Sequence, residues 1–208
     1  MLVLTVLDYL GTFAFAISGA LKAVRREMDI FGLIVLAVVT AIGGGTIRDV
    51  MLGLRPFWFT DPNYILLSLL AAFAVFALYR LVSRRETVLM WFDAIGLGAF
   101  TVIGASKAML YGLGFVPTVV LACLTGIGGG IIRDMLAGDV PVVLRKEVYA
   151  SASILGAMIY WTLGRYGVPT HFSMPATMLL VTAVRLLSVH YGVGLPKAYP
   201  ARPAPPSA

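Results

Sequence analysis

Charge is what this sequence is short of. Only 12% of its 208 residues are Asp, Glu, Lys or Arg, whereas 60% are hydrophobic. An ordinary soluble domain carries about 25% charged residues. The shortage excludes a typical water-soluble domain and places the chain in the membrane class. Cysteine is nearly missing too. Cys123 stands alone, which excludes an internal disulfide and any thiolate metal cluster, and it reads as a small core residue. The chain also lacks a phosphate-binding glycine loop with its lysine, a His-Glu metal pair, and a nucleophile elbow around Ser18. No catalysis, no cofactor and no metal site are therefore expected. His171 and His190 lie at the two ends of the last apolar run and lack ligand spacing. No ATP-binding domain is present, so active transport would need a gradient or a partner subunit.

What is there is a series of apolar runs. A helix needs about 20 mostly apolar residues to cross the hydrocarbon core. Seven segments qualify, near 3–23, 29–53, 62–82, 88–109, 114–137, 146–165 and 171–190. Turn residues or charges separate them, as in "RREMD", "RPFWFTDPN" and "GDVPVVLRK". The first segment, "MLVLTVLDYL", has no basic leader and is interrupted by Asp8, so it is expected to be retained. The net charge of +6 sits mostly in the short gaps. That makes it a topology signal, with membrane lipids and not nucleic acid as the partner. With the N-terminus outside, the inner side receives Lys22, Arg25, Arg26, Arg80, Arg84, Arg85, Arg145, Lys146, Lys197 and Arg202. The outer side keeps mainly Arg55, Lys107 and Arg165. The expected orientation is N-out and C-in.

The chain repeats itself at an offset of 85 residues. "TAIGGGTIRDVMLGLRP" (40–56) falls on "TGIGGGIIRDMLAGDVP" (125–141), with ten of seventeen positions identical. "LDYLGTFAFAISGALKA" (7–23) falls on "FDAIGLGAFTVIGASKA" (92–108), and Tyr64 meets Tyr149. Chance similarity between apolar helices does not align two charges, three glycines and a proline in one register. Each unit holds three helices, an odd number, so the second must enter the membrane from the opposite side. The expected fold is an all-α membrane protein with seven transmembrane helices, two inverted three-helix repeats plus a seventh helix. The chain then divides into a first repeat (1–85), a second, inverted repeat (86–168), a seventh span (169–192) and a disordered Pro/Ala-rich tail (193–208). Inverted repeats are typical of transport proteins, with the path at the interface of the halves.

Three consecutive glycines each weaken a helix by about 1 kcal/mol relative to Ala. The second and fifth spans are therefore expected to break at Gly43, Gly44 and Gly45 and at Gly128, Gly129 and Gly130, offering backbone carbonyls to a permeating ion. The alternative is close helix packing, which glycine also permits.

Charges at membrane depth cost at least about 2.5 kcal/mol each on insertion scales, and they face a bundle interior or water. Asp8, Gly11, Phe15, Gly19 and Lys22 share one helix face, and Asp93, Gly96, Phe100, Gly104 and Lys107 repeat that stripe. The stripe suits a pore lining or a tight interface. Inversion groups Asp8, Arg48, Asp49 and Lys107 in the outer half, and Asp93, Arg133, Asp134 and Lys22 in the inner half. The expected pairs are Asp8 with Arg48 and Asp93 with Arg133. Arg48 and Asp49 are adjacent, diverge on a helix, and are expected to be poor mutual partners. The alternative for these charges is that they lock helices together. Arg25, Arg26, Arg84 and Arg85 read as topology determinants, and Trp58, Tyr64, Trp91 and Trp161 as interfacial anchors.

At the two "GGG-x-I-R-D" runs (43–49 and 128–134), the Asp…Gly…Lys stripes and "LRKEVYA" (144–150), the chain resembles the trimeric intracellular cation channel family, in its prokaryotic branch. The resemblance covers residues 5 to about 190. It implies a homotrimer in which each subunit has its own pore for monovalent cations, chiefly potassium, in the plasma membrane of a prokaryote. Glycine-broken second and fifth spans would line the path, with Lys22, Arg48, Lys107 and Arg133 near it. A movable Lys or Arg would then serve as a gate. Two other readings stay open: a secondary carrier for a small solute such as glycine, and a membrane scaffold. The buried charges argue against the scaffold, which gains little from them.

Overall fold

The computed structural model describes residues 2–82, 86–145 and 148–193. The expected tail at 194–208, together with Arg84, Arg85 and Lys146, lies outside the described residues. Among the described residues all regular structure is helical: α1 (Leu2–Arg25), α2 (Ile30–Met51), α3 (Phe57–Thr60), α4 (Asn63–Val82), α5 (Glu86–Leu110), α6 (Phe115–Leu136), α7 (Val142–Arg145), α8 (Ala150–Arg165) and α9 (Thr170–His190). Each of the seven expected apolar segments contains one long helix, and α3 and α7 are one-turn helices between them. Among the described residues, five helices are long and apolar enough to cross a membrane: α1, α2, α5 from Thr87, α6 and α9. The apolar part of α4, Asn63–Tyr79, is shorter, and α8 has 16 residues.

Turn chemistry sets the helix ends. Asp29 caps α2 by accepting from Gly32 N at 2.7 Å, which satisfies one free amide of the first turn. Beyond α2 and α6 the chain turns through Gly53 (φ 69°) and Gly138 (φ 72°), where a residue with a Cβ would be strained. Leu54 N then bonds Asp49 O at 2.8 Å, and Asp139 N bonds Asp134 O at 2.9 Å. These 6→1 bonds close each helix just after its Arg-Asp pair.

The helices form two triple bundles, α1·α2·α4 and α5·α6·α8. They meet through α1 against α5 and α2 against α6, and α9 packs on α5 and α8. Small residues let backbones approach, which is how helices associate where lipid supplies no hydrophobic drive. Gly19 lies against the Leu36 carbonyl and Thr40 of α2, and Gly104 lies against Ala122 and Thr125 of α6. Gly11 faces Ala99, Gly96 faces Phe15, and the Phe15 and Phe100 rings stack at 5.2 Å. The small-residue stripe is thus a tight interface.

The expected break at the glycine triplets is not there. α2 is helical through Gly43–Gly45 and α6 through Gly128–Gly130. The two triplets cross in backbone contact. A Cβ on Gly44 would collide with the Thr125 carbonyl, and one on Gly129 with the Thr40 carbonyl. A Cβ on Gly128 would stand 3.1 Å from the Gly44 Cα. Packing across this crossing offsets the helix penalty of glycine. The triplets form a waist where α2 crosses α6.

Candidate functional site

Two clusters of charge lie at the ends of α2 and α6, each built on an Arg-Asp pair. The first contains Asp8, Arg48, Asp49, Tyr64 and Lys107. Asp49 is its hub and is fully buried. Its Oδ1 accepts from Arg48 Nε at 2.8 Å and from Lys107 Nζ at 2.7 Å. Its Oδ2 accepts from Phe57 N at 2.9 Å, the first amide of α3. Asp8 Oδ2 accepts from the Tyr64 hydroxyl at 3.0 Å.

The second cluster repeats the plan. Asp134 Oδ1 accepts from Arg133 Nε at 3.0 Å and pairs with Lys22 Nζ at 3.4 Å. Asp134 Oδ2 accepts from Val142 N at 3.0 Å, the first amide of α7. Tyr149 donates to Asp93 Oδ1 at 3.2 Å. The lysines cross between the halves: Lys107 of α5 serves Asp49 of α2, and Lys22 of α1 serves Asp134 of α6. The side chains that lie together are Asp8, Arg48, Asp49 and Lys107 in one cluster and Asp93, Arg133, Asp134 and Lys22 in the other.

Three expectations need correction. The Arg-Asp neighbours are partners in both halves, at 2.8 and 3.0 Å. Their Cβ atoms diverge, but each arginine curls so that Nε, not the guanidinium tip, reaches the next carboxylate. The tip is then free to reach elsewhere, and only one half uses it as expected. Arg133 Nη1 donates to Asp93 Oδ1 at 2.5 Å and to Ser18 Oγ at 2.5 Å. The expected Asp8–Arg48 bond is not made: Asp8 Oδ1 and Arg48 Nη1 meet no hydrogen-bond partner among the described residues. Arg48 instead sits over the Phe57 ring, 5.6 Å from its centre. Tyr64 is no interfacial anchor. It is buried, and its hydroxyl serves Asp8. Among the expected anchors, Trp91 is exposed and Trp58 Nε1 donates to Thr46 Oγ1 at 3.1 Å.

Sequence reasoning missed other members of the site. Tyr64 and Tyr149 were visible as a matched pair at the repeat offset, and a buried tyrosine needs a hydrogen-bond partner. Asp139 pairs with Lys22 Nζ at 2.6 Å and with Arg26. Its place in the first half is Leu54, so the repeat itself hid it. Arg185 of α9 is 5% exposed and lies 4.9 Å from the centre of the Tyr149 ring. Nothing in the repeat pointed to it. Among the described residues no group of His, Cys, Asp and Glu could hold a metal ion.

Comparison with known proteins identifies relatives of the whole fold. The family model described as "Glycine transporter" matches twice, at residues 5–80 and 90–165. A UPF0126 membrane protein of Vibrio cholerae is 42% identical over 199 residues, covering 93% of this chain and 82% of the relative. The UPF0126 inner membrane protein YadS of Escherichia coli K12 is 40% identical over 193 residues, covering 91% and 93%. The trimeric intracellular cation (TRIC) channel orthologue from Rhodobacter sphaeroides superposes with a TM-score of 0.88 at 39% identity, covering 93% of this chain and 100% of that one. A prokaryotic TRIC channel solved in 0.5 M KCl gives a TM-score of 0.88 at 37% identity, covering 93% and 99%. These solved neighbours are channels and the curated relatives are membrane proteins, so the chain is not an enzyme. It is a multi-pass protein of a bacterial inner membrane. The chain belongs to the prokaryotic branch of the trimeric intracellular cation channel family.

Proposed function

We propose that this chain forms a potassium-permeable monovalent cation channel, with one path in each subunit of a homotrimer. All seven long helices span the membrane in this reading, with the N-terminus outside, and the two triple bundles are inverted repeats occupying 1–85 and 86–168. α9 is the seventh span and 193–208 a tail. The observation that carries the proposal is the mirrored pair of charge clusters on either side of the glycine waist, each with carboxylates held by a lysine from the opposite half. Buried charge on this scale costs several kcal/mol per ion unless it is paired, and a membrane protein retains it chiefly along an ion path.

The mechanism follows from what the residues hold. The waist, where Gly43–Gly45 meet Gly128–Gly130, is the constriction, and in this structure it is shut by backbone contact. Lys107 and Lys22 cap Asp49 and Asp134. When a lysine leaves, its carboxylate faces the path and attracts a cation in the lysine's place. Arg48 and Arg133 stay against their neighbouring aspartates and keep each cluster from becoming a deep anionic trap. Separation of α2 from α6 then frees the Thr40 and Thr125 carbonyls at the waist for a passing ion.

Purified protein in a planar bilayer with asymmetric KCl should give discrete unitary currents that reverse near the potassium equilibrium potential. A reversal potential pinned to chloride, or no unitary currents at all, would overturn the reading. A second reading, a carrier for a small solute such as glycine, is favoured by the family model's description and by the closed waist between two polar clusters. Saturable uptake of labelled glycine without unitary currents would establish it instead.

A further inference from the structure

The tyrosines that serve the two membrane-depth aspartates are held by different walls. In the first half, Tyr64 lies edge-on to Phe57 at 4.5 Å and beside Tyr9 at 4.8 Å. At the repeat offset those positions are Val142 and Ala94, so the second half has lost both rings. Tyr149 nevertheless stays 2% exposed, with its hydroxyl 3.2 Å from Asp93 Oδ1. The wall it needs comes from outside the repeat. Arg185 of α9 lays its guanidinium over the ring, 4.9 Å from the centre. α9 is also fixed to α5 next to Asp93: Thr182 donates to the Ala94 carbonyl at 3.3 Å, and Gly98 leaves no room for a Cβ beside Met178 O.

We propose that Arg185 is a positioning residue for the gate of the second half, holding Tyr149 on Asp93 so that movement of α9 controls whether Asp93 is occupied or open. The proposal rests on the channel reading. The physical reason is the balance at Asp93. Its Oδ1 already accepts from Arg133 and Tyr149, and a cation reaching it must displace one of them. A guanidinium above a desolvated ring attracts the ring face and resists the rotation that would swing the hydroxyl away. α9 has no counterpart in the first half, so the two gates answer to different parts of the molecule.

The test is a double-mutant cycle on open probability, using the full chain in planar bilayers with symmetric KCl. Arg185→Gln should raise open probability about thirtyfold, the scale of one desolvated cation–π contact. Tyr149→Phe should raise it similarly, and the double variant no further, because Arg185 acts through that hydroxyl. Arg185→Lys should restore most of the wild-type value, and Arg185→Met carries the cycle if the Gln variant does not fold. Arg185→Gln combined with Tyr64→Phe should give the product of the single effects. An Arg185→Gln effect that persists undiminished in the Tyr149→Phe background would mean that Arg185 acts on the ion by charge alone, and would overturn the proposal. Absence of unitary currents from the wild-type protein would overturn the channel reading, and the gating role with it.

Discussion

In the first half, the Nη1 atom of Arg48 has no hydrogen-bond partner among the described residues; in the second, the same atom of Arg133 holds both Asp93 and Ser18. The motifs are nearly identical, so the difference comes from their surroundings. Phe57 draws Arg48 over its ring, and Val142 at the matching position cannot do this. Ser18 gives Arg133 a hydroxyl, whereas Ile103 stands at the position that matches Ser18. Asp139 adds a carboxylate that shares Lys22, whereas Leu54 leaves Lys107 to Asp49 alone. Both halves share the Arg-Asp and Lys-Asp pairs, and the second adds Arg133–Asp93 and Lys22–Asp139. The 85-residue repeat gives the two sites the same chemistry, and three or four flanking substitutions set how firmly each is latched.

Removing the aspartates should separate the halves most sharply. Asp93→Asn takes one of two carboxylates from a buried arginine, which keeps Asp134, and should cost about 1.5–3 kcal/mol of stability. Asp8→Asn should cost only about 1 kcal/mol, because Asp8 accepts a single hydrogen bond, from Tyr64. Thermal melts of the two variants in the same detergent will show the gap, and equal costs would mean that the halves are latched alike. The waist should behave symmetrically instead. Gly44→Ala and Gly129→Ala each push a Cβ into a carbonyl that cannot rotate away, and each should destabilise by about 1–3 kcal/mol in those melts. Neutralising the crossing lysines restores the asymmetry in function. Lys107→Met uncovers an Asp49 that keeps only Arg48 and an amide, so its open probability in bilayer recordings should change several-fold. Lys22→Met should change it less, because Arg133 still bridges Asp93 and Asp134. The smallest effect lies in the turns. Glu27 adopts φ 54°, where the second half has Gly112 at φ 72°. Glu27→Gly should therefore stabilise by about 1 kcal/mol, a shift of a few degrees in melting temperature, with unitary conductance unchanged.

Most of the fold was legible because composition and periodicity are strong signals in a membrane chain. Each apolar run corresponds to one long helix among the described residues, and of the two expected Asp-Arg pairs only Asp93 with Arg133 is formed. The glycine triplets misled for a physical reason. Glycine weakens a helix and also admits a neighbouring backbone, and sequence alone does not say whether a partner backbone arrives. Here Thr40 and Thr125 bring their carbonyls to the triplets, and the helices stay whole. The Arg-Asp neighbours misled because Cβ spacing says little about a side chain long enough to use Nε. Arg185 stayed hidden because α9 has no second copy to be compared with.

The crossing of Lys22 to Asp134 and of Lys107 to Asp49 has a consequence for how the protein is made. As the chain leaves the ribosome, the first three long helices arrive with Lys22 before either of its carboxylates, and with Asp49 holding Arg48 but not yet Lys107. A fragment ending at residue 85 would leave Asp49 without Lys107 and Lys22 without Asp134. Each half thus keeps a salt bridge that is closed only once the other has been translated.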